Sequence, residues 1–235
     1  MKRIVLASFI ALSFFVASDA SAAKTTGKRS TDSLTASLLR QAPGLRAEVL
    51  RLALDAAKTA EERGLVRRND VITVIDYSLP STQPRLFVFD LVARKLLFRE
   101  LVAHGKNSGD NRTSFFSNKP GSLATSLGLF VTEDTYVGGN GYSLRLRGLE
   151  EGVNDMARER AIVMHGASYV SRAAITALGR LGRSWGCPAV SNKVAKKIIN
   201  TVRGGSAVFA YYPEKTWLAS SKFFRKPDSM VARND

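Results

Sequence analysis

The chain of 235 residues carries 35 Lys and Arg against 20 Asp and Glu, a formal charge of +15, with one cysteine and two histidines. A lone cysteine excludes an internal disulfide. With only two histidines and no spaced carboxylate cluster beside it, no metal site and no cofactor are expected. The basic residues are scattered without interleaved aromatics, which argues against nucleic acid and leaves anionic envelope polymers as candidate partners.

Met1-Lys2-Arg3 precedes an apolar run from Ile4 to Ala17, followed by Ser18-Asp19-Ala20-Ser21-Ala22-Ala23. A short basic start, an apolar core and a small-residue site describe a secretory signal peptide, with cleavage expected after Ala22. The run is shorter than the roughly 20 residues that a membrane-spanning helix needs. Residues 1–22 are therefore expected to be removed and the remainder exported to the periplasm or cell wall.

Residues 23–70 read as a helical prelude. Leu34, Leu38 and Leu39 share one face of a short helix over 33–41. A second helix is expected to open at Pro43, with Leu45, Val49, Leu52, Ala53 and Ala56 at helical spacing and Gly64 as its stop. From Val71 the texture becomes β-branched. Strands are expected over 71–77, 86–91 and 95–103, in an antiparallel meander. A long polar loop starts at His104 and runs to Pro120-Gly121, and loops of that length are usually functional. Strands over 127–132 and 142–147 follow, on either side of Gly138-Gly139-Asn140-Gly141. A further strand over 160–164 is expected to deliver His165 at its end. One or two helical turns fit 171–178. Ser191 is a suitable N-cap for a helix over 192–202, a closing strand spans 206–212, and residues 214–235 read as an extended basic tail.

The only cysteine lies in Arg183-Ser184-Trp185-Gly186-Cys187-Pro188-Ala189-Val190. Its thiol needs a neighbouring base or cation to react as thiolate. His165, followed by Gly166, can serve as that base. Glycine lets backbone come close to a ligand, so the amides of Trp185, Gly186 and Cys187 could converge on an oxyanion. A buried inert thiol and a satisfied core histidine explain the same two residues equally well. No acidic third member stands out: Glu133, Asp134 and Asp155 are candidates, and a backbone carbonyl could orient the imidazole instead. There is no Gly-x-Ser-x-Gly elbow and no phosphate loop.

His165-Gly166 with Ser184-Trp185-Gly186-Cys187, together with the segments Gly105 to Gly109 and Gly121 to Gly128, resembles the L,D-transpeptidases with a YkuD-like catalytic domain, and among them the murein L,D-transpeptidase subgroup. The resemblance covers residues 71–213. It implies a mainly β fold with flanking helices, a β-sandwich carrying the cysteine in a cleft under a flap. It implies that Cys187 is the nucleophile and His165 the base, with backbone amides of Trp185, Gly186 and Cys187 as the oxyanion hole. Peptidoglycan stem peptides would be the substrates. The donor would form a thioester that an acceptor amine resolves, and carbapenems would acylate the same thiol. Ser184, Arg183, His104, Gly166 and Tyr142 are candidate substrate-binding residues. Trp185 replaces the histidine of the commoner signature. Ala189 replaces its arginine, so that Arg183 or Arg180 would have to hold substrate carboxylates. Two other readings remain: an L,D-carboxypeptidase with the same nucleophile, and a non-catalytic basic wall-binding protein.

Overall fold

The computed structural model describes residues 32–224. The expected signal peptide and the last part of the expected tail, 225–235, lie outside these residues. The strands are β1 (Arg68–Asp76), β2 (Leu86–Asp90), β3 (Lys95–Glu100), β4 (Val102–Ala103), β5 (Gly128–Gly138), β6 (Gly141–Gly148), β7 (Val163–Ala167), β8 (Ala189–Ser191) and β9 (Ser206–Tyr211). The helices are α1 (32–39), α2 (Ala47–Glu62), α3 (Arg172–Leu178), α4 (Asn192–Val202) and α5 (Lys215–Ser220).

All nine strands join one mixed sheet in the order β3-β2-β1-β9-β5-β6-β7-β8-β4. The burial of each strand follows from its place in that order. β9 is buried along its whole length because it lies between β1 and β5 and is covered on both faces. β3, at one edge, alternates exposed and half-buried residues. The meander of β1, β2 and β3 is antiparallel, as expected.

A sandwich was expected, and here the structure differs. β3 and β4 are the opposite edges of the strand order, yet only Leu101 separates them in the chain. A flat sheet of this size would be roughly 40 Å wide at about 4.8 Å per strand. One residue cannot bridge that gap, so the sheet curls into a nearly closed barrel. The result is a mixed β/α domain with one curled sheet.

Two apolar layers hold it. Outside the barrel, α2 lays Val49, Leu50, Ala53, Ala56 and Ala60 against Ile72, Val74, Phe87, Phe89 and Phe209. Inside, Ile75, Leu86, Val88, Phe130, Leu146 and Val208 meet Ile198, Ile199 and Val202 of α4. The prelude therefore shares the core of the sheet.

Several boundaries moved for identifiable reasons. α2 opens at Ala47 instead of Pro43, because Gly44 takes φ +95°, which no helix accommodates. Ala161, at φ +52°, turns the chain, so β7 runs from Val163 and carries His165 in its middle. The expected extended tail begins with α5. Glu214 caps that helix by accepting from Thr216 N–H and Trp217 N–H, and Trp217 is buried with its indole N–H donating to Glu150. The Ser191 cap of α4 is present and accepts from Lys193 N–H. No helix among the described residues is long and apolar enough to cross a membrane.

Candidate active site

The turn that carries the cysteine is tied down before it reaches β8. Ser184 N–H donates to the His104 carbonyl, and Lys106 N–H donates to the Ser184 carbonyl. The Ser184 hydroxyl accepts from Gly186 N–H at 3.1 Å and donates to the Cys187 carbonyl at 2.7 Å. Ser184 is 5% exposed and is spent on this turn. Gly186 has φ +121°, and a Cβ there would lie 2.7 Å from the Ala124 carbonyl oxygen. Backbone strain and backbone collision thus both demand glycine. Gly186→Ala is expected to lose on the order of 2–4 kcal/mol in urea denaturation. Trp185→Ala, at a side chain 73% exposed, is expected to stay within about 0.5 kcal/mol.

The Cys187 thiol is buried. Its Sγ accepts from Val163 N–H at 3.4 Å and donates to the Ala161 carbonyl at 3.6 Å. Burial pushes its pKa up, while the Val163 amide and the Arg160 guanidinium draw it back down. His165 lies in β7 between Ser143 of β6 and Ala189 of β8, two residues after the cysteine. The parallel pairing of β7 with β8 therefore sets the histidine on the strand next to the one that the cysteine turn feeds. No hydrogen bond joins the thiol and the imidazole among the described residues. His165 Nδ1 lies 2.9 Å from the Gly166 carbonyl oxygen, which makes Nδ1 the protonated nitrogen and leaves Nε2 as an acceptor. Burial pushes the imidazole pKa down, against the opposing pull of that carbonyl.

Sequence reasoning missed Arg160. It donates to the Ser117 carbonyl at 2.6 Å, to the hydroxyls of Ser126 and Ser122, and to the Ala124 carbonyl. These bonds pin the loop over 117–126 beside Gly186, whose absent Cβ would be 3.2 Å from Arg160 Nη2. Nothing in the local pattern around Arg160 marks this role, because its partners lie more than thirty residues away.

Other candidates are committed elsewhere. His104, a candidate substrate-binding residue at the start of the polar loop, is 1% exposed. Its Nδ1 accepts from Arg85 at 2.7 Å and its Nε2 donates to the Gly109 carbonyl at 3.2 Å. Burial and the Arg85 charge lower its pKa to about 4. Arg85, fully buried, also donates to the carbonyls of Leu79 and Val102 and lies 5.0 Å over the Tyr77 ring. Arg183 donates to the carbonyls of Lys106 and Gly109 and to Asp110, and Arg180 pairs with Asp110 at 3.6 Å. Gly166 makes room for α4: a Cβ there would lie 2.5 Å from Asn192 Oδ1 and 3.0 Å from Ala195 Cβ. Tyr142 is next to Ser143 in β6, so it faces away from His165, and its hydroxyl donates to Asn200 of α4 at 2.7 Å.

The domain is a curled β/α sheet with a cysteine turn feeding one strand and a histidine on the next. Residues 41–211 match the family model of the L,D-transpeptidase catalytic domain, and the chain belongs to that family. Comparison with curated proteins finds no match. Among solved structures, an L,D-transpeptidase from Mycobacterium smegmatis is similar at 14% identity over 61% of this chain and 59% of that one, with a TM-score of 0.37. An L,D-transpeptidase from Stackebrandtia nassauensis matches at 15% identity over 77% and 90% of the two chains, TM-score 0.36. The helical cell shape determining protein of Campylobacter jejuni matches at 14% identity over 70% and 57%, TM-score 0.41. The chain thus spans 59% of the length of the first of these structures. These likenesses are distant, and the family match alone carries the assignment.

Proposed function

We propose that the protein is an exported peptidoglycan L,D-transpeptidase with Cys187 as nucleophile and His165 as general base, within a catalytic unit over 71–213 to which the helical prelude is docked. The reading is supported chiefly by the pairing of β7 with β8, which sets an imidazole with a free Nε2 beside the cysteine turn. Both pKa directions favour a neutral thiol and a neutral imidazole at rest. The thiol turns about its Cα–Cβ bond from the Ala161 carbonyl towards His165 and passes its proton to Nε2. The thiolate adds to the donor carbonyl that follows the L-centre of the stem's diamino acid. The oxyanion is received by the amides of Trp185 and Cys187. The third expected donor, Gly186 N–H, is already given to Ser184. Collapse expels the terminal D-amino acid as an amine, which takes the proton back from His165 and leaves a thioester on Cys187. An acceptor amine then attacks the thioester, forms the cross-link amide and regenerates the thiol.

A carbapenem tests this. One of the related solved structures, an L,D-transpeptidase, is described in complex with imipenem. Intact-mass measurement should show one imipenem adduct on the wild-type chain, located at Cys187 by peptide mapping. An unmodified protein after prolonged exposure would favour the non-catalytic wall-binding reading. Trimmed monomers without dimers, from muropeptide substrate, would favour the carboxypeptidase.

A further inference from the structure

A stem peptide with free carboxylates can be held near the thiol by a cation through charge-assisted hydrogen bonds. This inference rests on the reading above. The arginine of the commoner signature is Ala189 here, fully buried. The other arginines around the site are occupied. Arg180 and Arg183 are held by Asp110, Arg147 and Arg158 by Glu133, and Arg160 by its four acceptors on the 117–126 loop. Arg145 differs. Among the described residues no carboxylate pairs with it, and its guanidinium lies 4.0 Å over the Tyr136 ring.

Strand register puts this pair on the face that carries the imidazole. Tyr136 of β5 is opposite Ser143 of β6, Ser143 is opposite His165 of β7, and His165 is opposite Ala189 of β8. Directly opposed residues point to one face, so this row is shared. Arg145, two positions beyond Ser143, is on the same face and opposite Val163, whose N–H holds the Cys187 sulfur. Tyr136 and Arg145 are both half-buried. The ring supports the face of the guanidinium and consumes none of its N–H donors, which remain free for a planar anion. From β5 to β7 is two strand spacings, about 10 Å. A carboxylate one or two residues from a scissile bond at Cys187 falls within that reach.

We propose that Arg145, stacked on Tyr136, is a carboxylate-binding subsite for the substrate peptide, gripping an acidic group of the stem through a bidentate pair.

The test uses the full chain and a synthetic stem tetrapeptide with free carboxylates, beside the same peptide with those side-chain and α-carboxylates amidated. Binding is measured by calorimetry in Cys187→Ala protein, where no chemistry intervenes, and KM and kcat are measured in the parent. Arg145→Met should weaken binding of the acidic peptide and raise its KM by about tenfold or more, as expected for one charge-assisted pair, with kcat changed less. Arg145→Lys should recover part of the loss, and Tyr136→Leu should lose part. The amidated peptide should bind both proteins alike. Alkylation of Cys187 by uncharged iodoacetamide should be equal with and without Arg145→Met, which shows that the thiol's surroundings are intact. Equal affinities of the parent and Arg145→Met for the acidic peptide, an equal loss for both peptides, or no peptide binding would overturn the subsite. Arg145-dependent binding without turnover in the parent would instead leave the subsite standing and remove the transpeptidase reading.

Discussion

Cys187→Ala is expected to lower cross-linking of purified muropeptides by at least about 10⁴-fold while leaving a folded protein, because no thioester can form without the sulfur. His165→Ala should fall to a similar level, since a nucleophile and its base act as a unit. The fold should tolerate the cysteine change. The thiol's hydrogen bonds to Val163 and Ala161, at 3.4 and 3.6 Å, are weak because sulfur is a poor donor and acceptor, so the loss in urea denaturation is expected to stay under about 1.5 kcal/mol. Mass spectrometry of dimers and a denaturation curve on the same preparation check both halves. Undiminished dimer formation in Cys187→Ala would end the enzymatic account.

Arg85→Met is expected to cost on the order of 3–5 kcal/mol. The guanidinium is fully buried, and its removal strands the Leu79 and Val102 carbonyls and His104 Nδ1 without a donor. For a domain of this size that is a fall in Tm of roughly 10 °C. The same cluster sets a pH dependence. His104 is held at a pKa of about 4, below its ordinary value, so the unfolded chain binds a proton that the folded one refuses. Its neutral form contributes stability in full above pH of about 6.5, and that contribution drains away as pH falls towards 4, by about 3 kcal/mol in total. His104→Asn should be less stable at neutral pH yet flatter across that window. A His104→Asn curve with the parent's full slope would assign the slope to other groups.

The legible parts of the fold were those that neighbours in sequence decide. The β-branched run from Val71 and the Phe87–Phe89 segment read as strands and are strands. Ser191 read as a cap and is one. The strand order was not legible, because pairing β1 with β9 in parallel joins segments more than a hundred residues apart. The curl that replaces the expected sandwich follows from the same long-range order. α5 was missed because its support comes from Glu150 and the apolar cluster around Trp217, neither of which is local.

The candidate site divides in the same way. A lone cysteine after Ser-Trp-Gly and a histidine before glycine were visible as chemistry, since residue type and glycine flanks are properties of short stretches. The arginines were visible only as charge. Whether a guanidinium is spent or free depends on which acids and carbonyls the fold brings to it: Asp110 for Arg183 and Arg180, the 117–126 loop for Arg160, an aromatic ring alone for Arg145. His104 and His165 look alike in the chain. The barrel gives one of them a buried arginine and the other a backbone carbonyl, so that one is locked in the interior and the other keeps a nitrogen to offer. Sequence alone determined which groups were present and which backbone shapes they prefer. Partnership among those groups was decided only when distant strands met, because hydrogen bonds and ion pairs act over a few ångströms and register sets who stands that close.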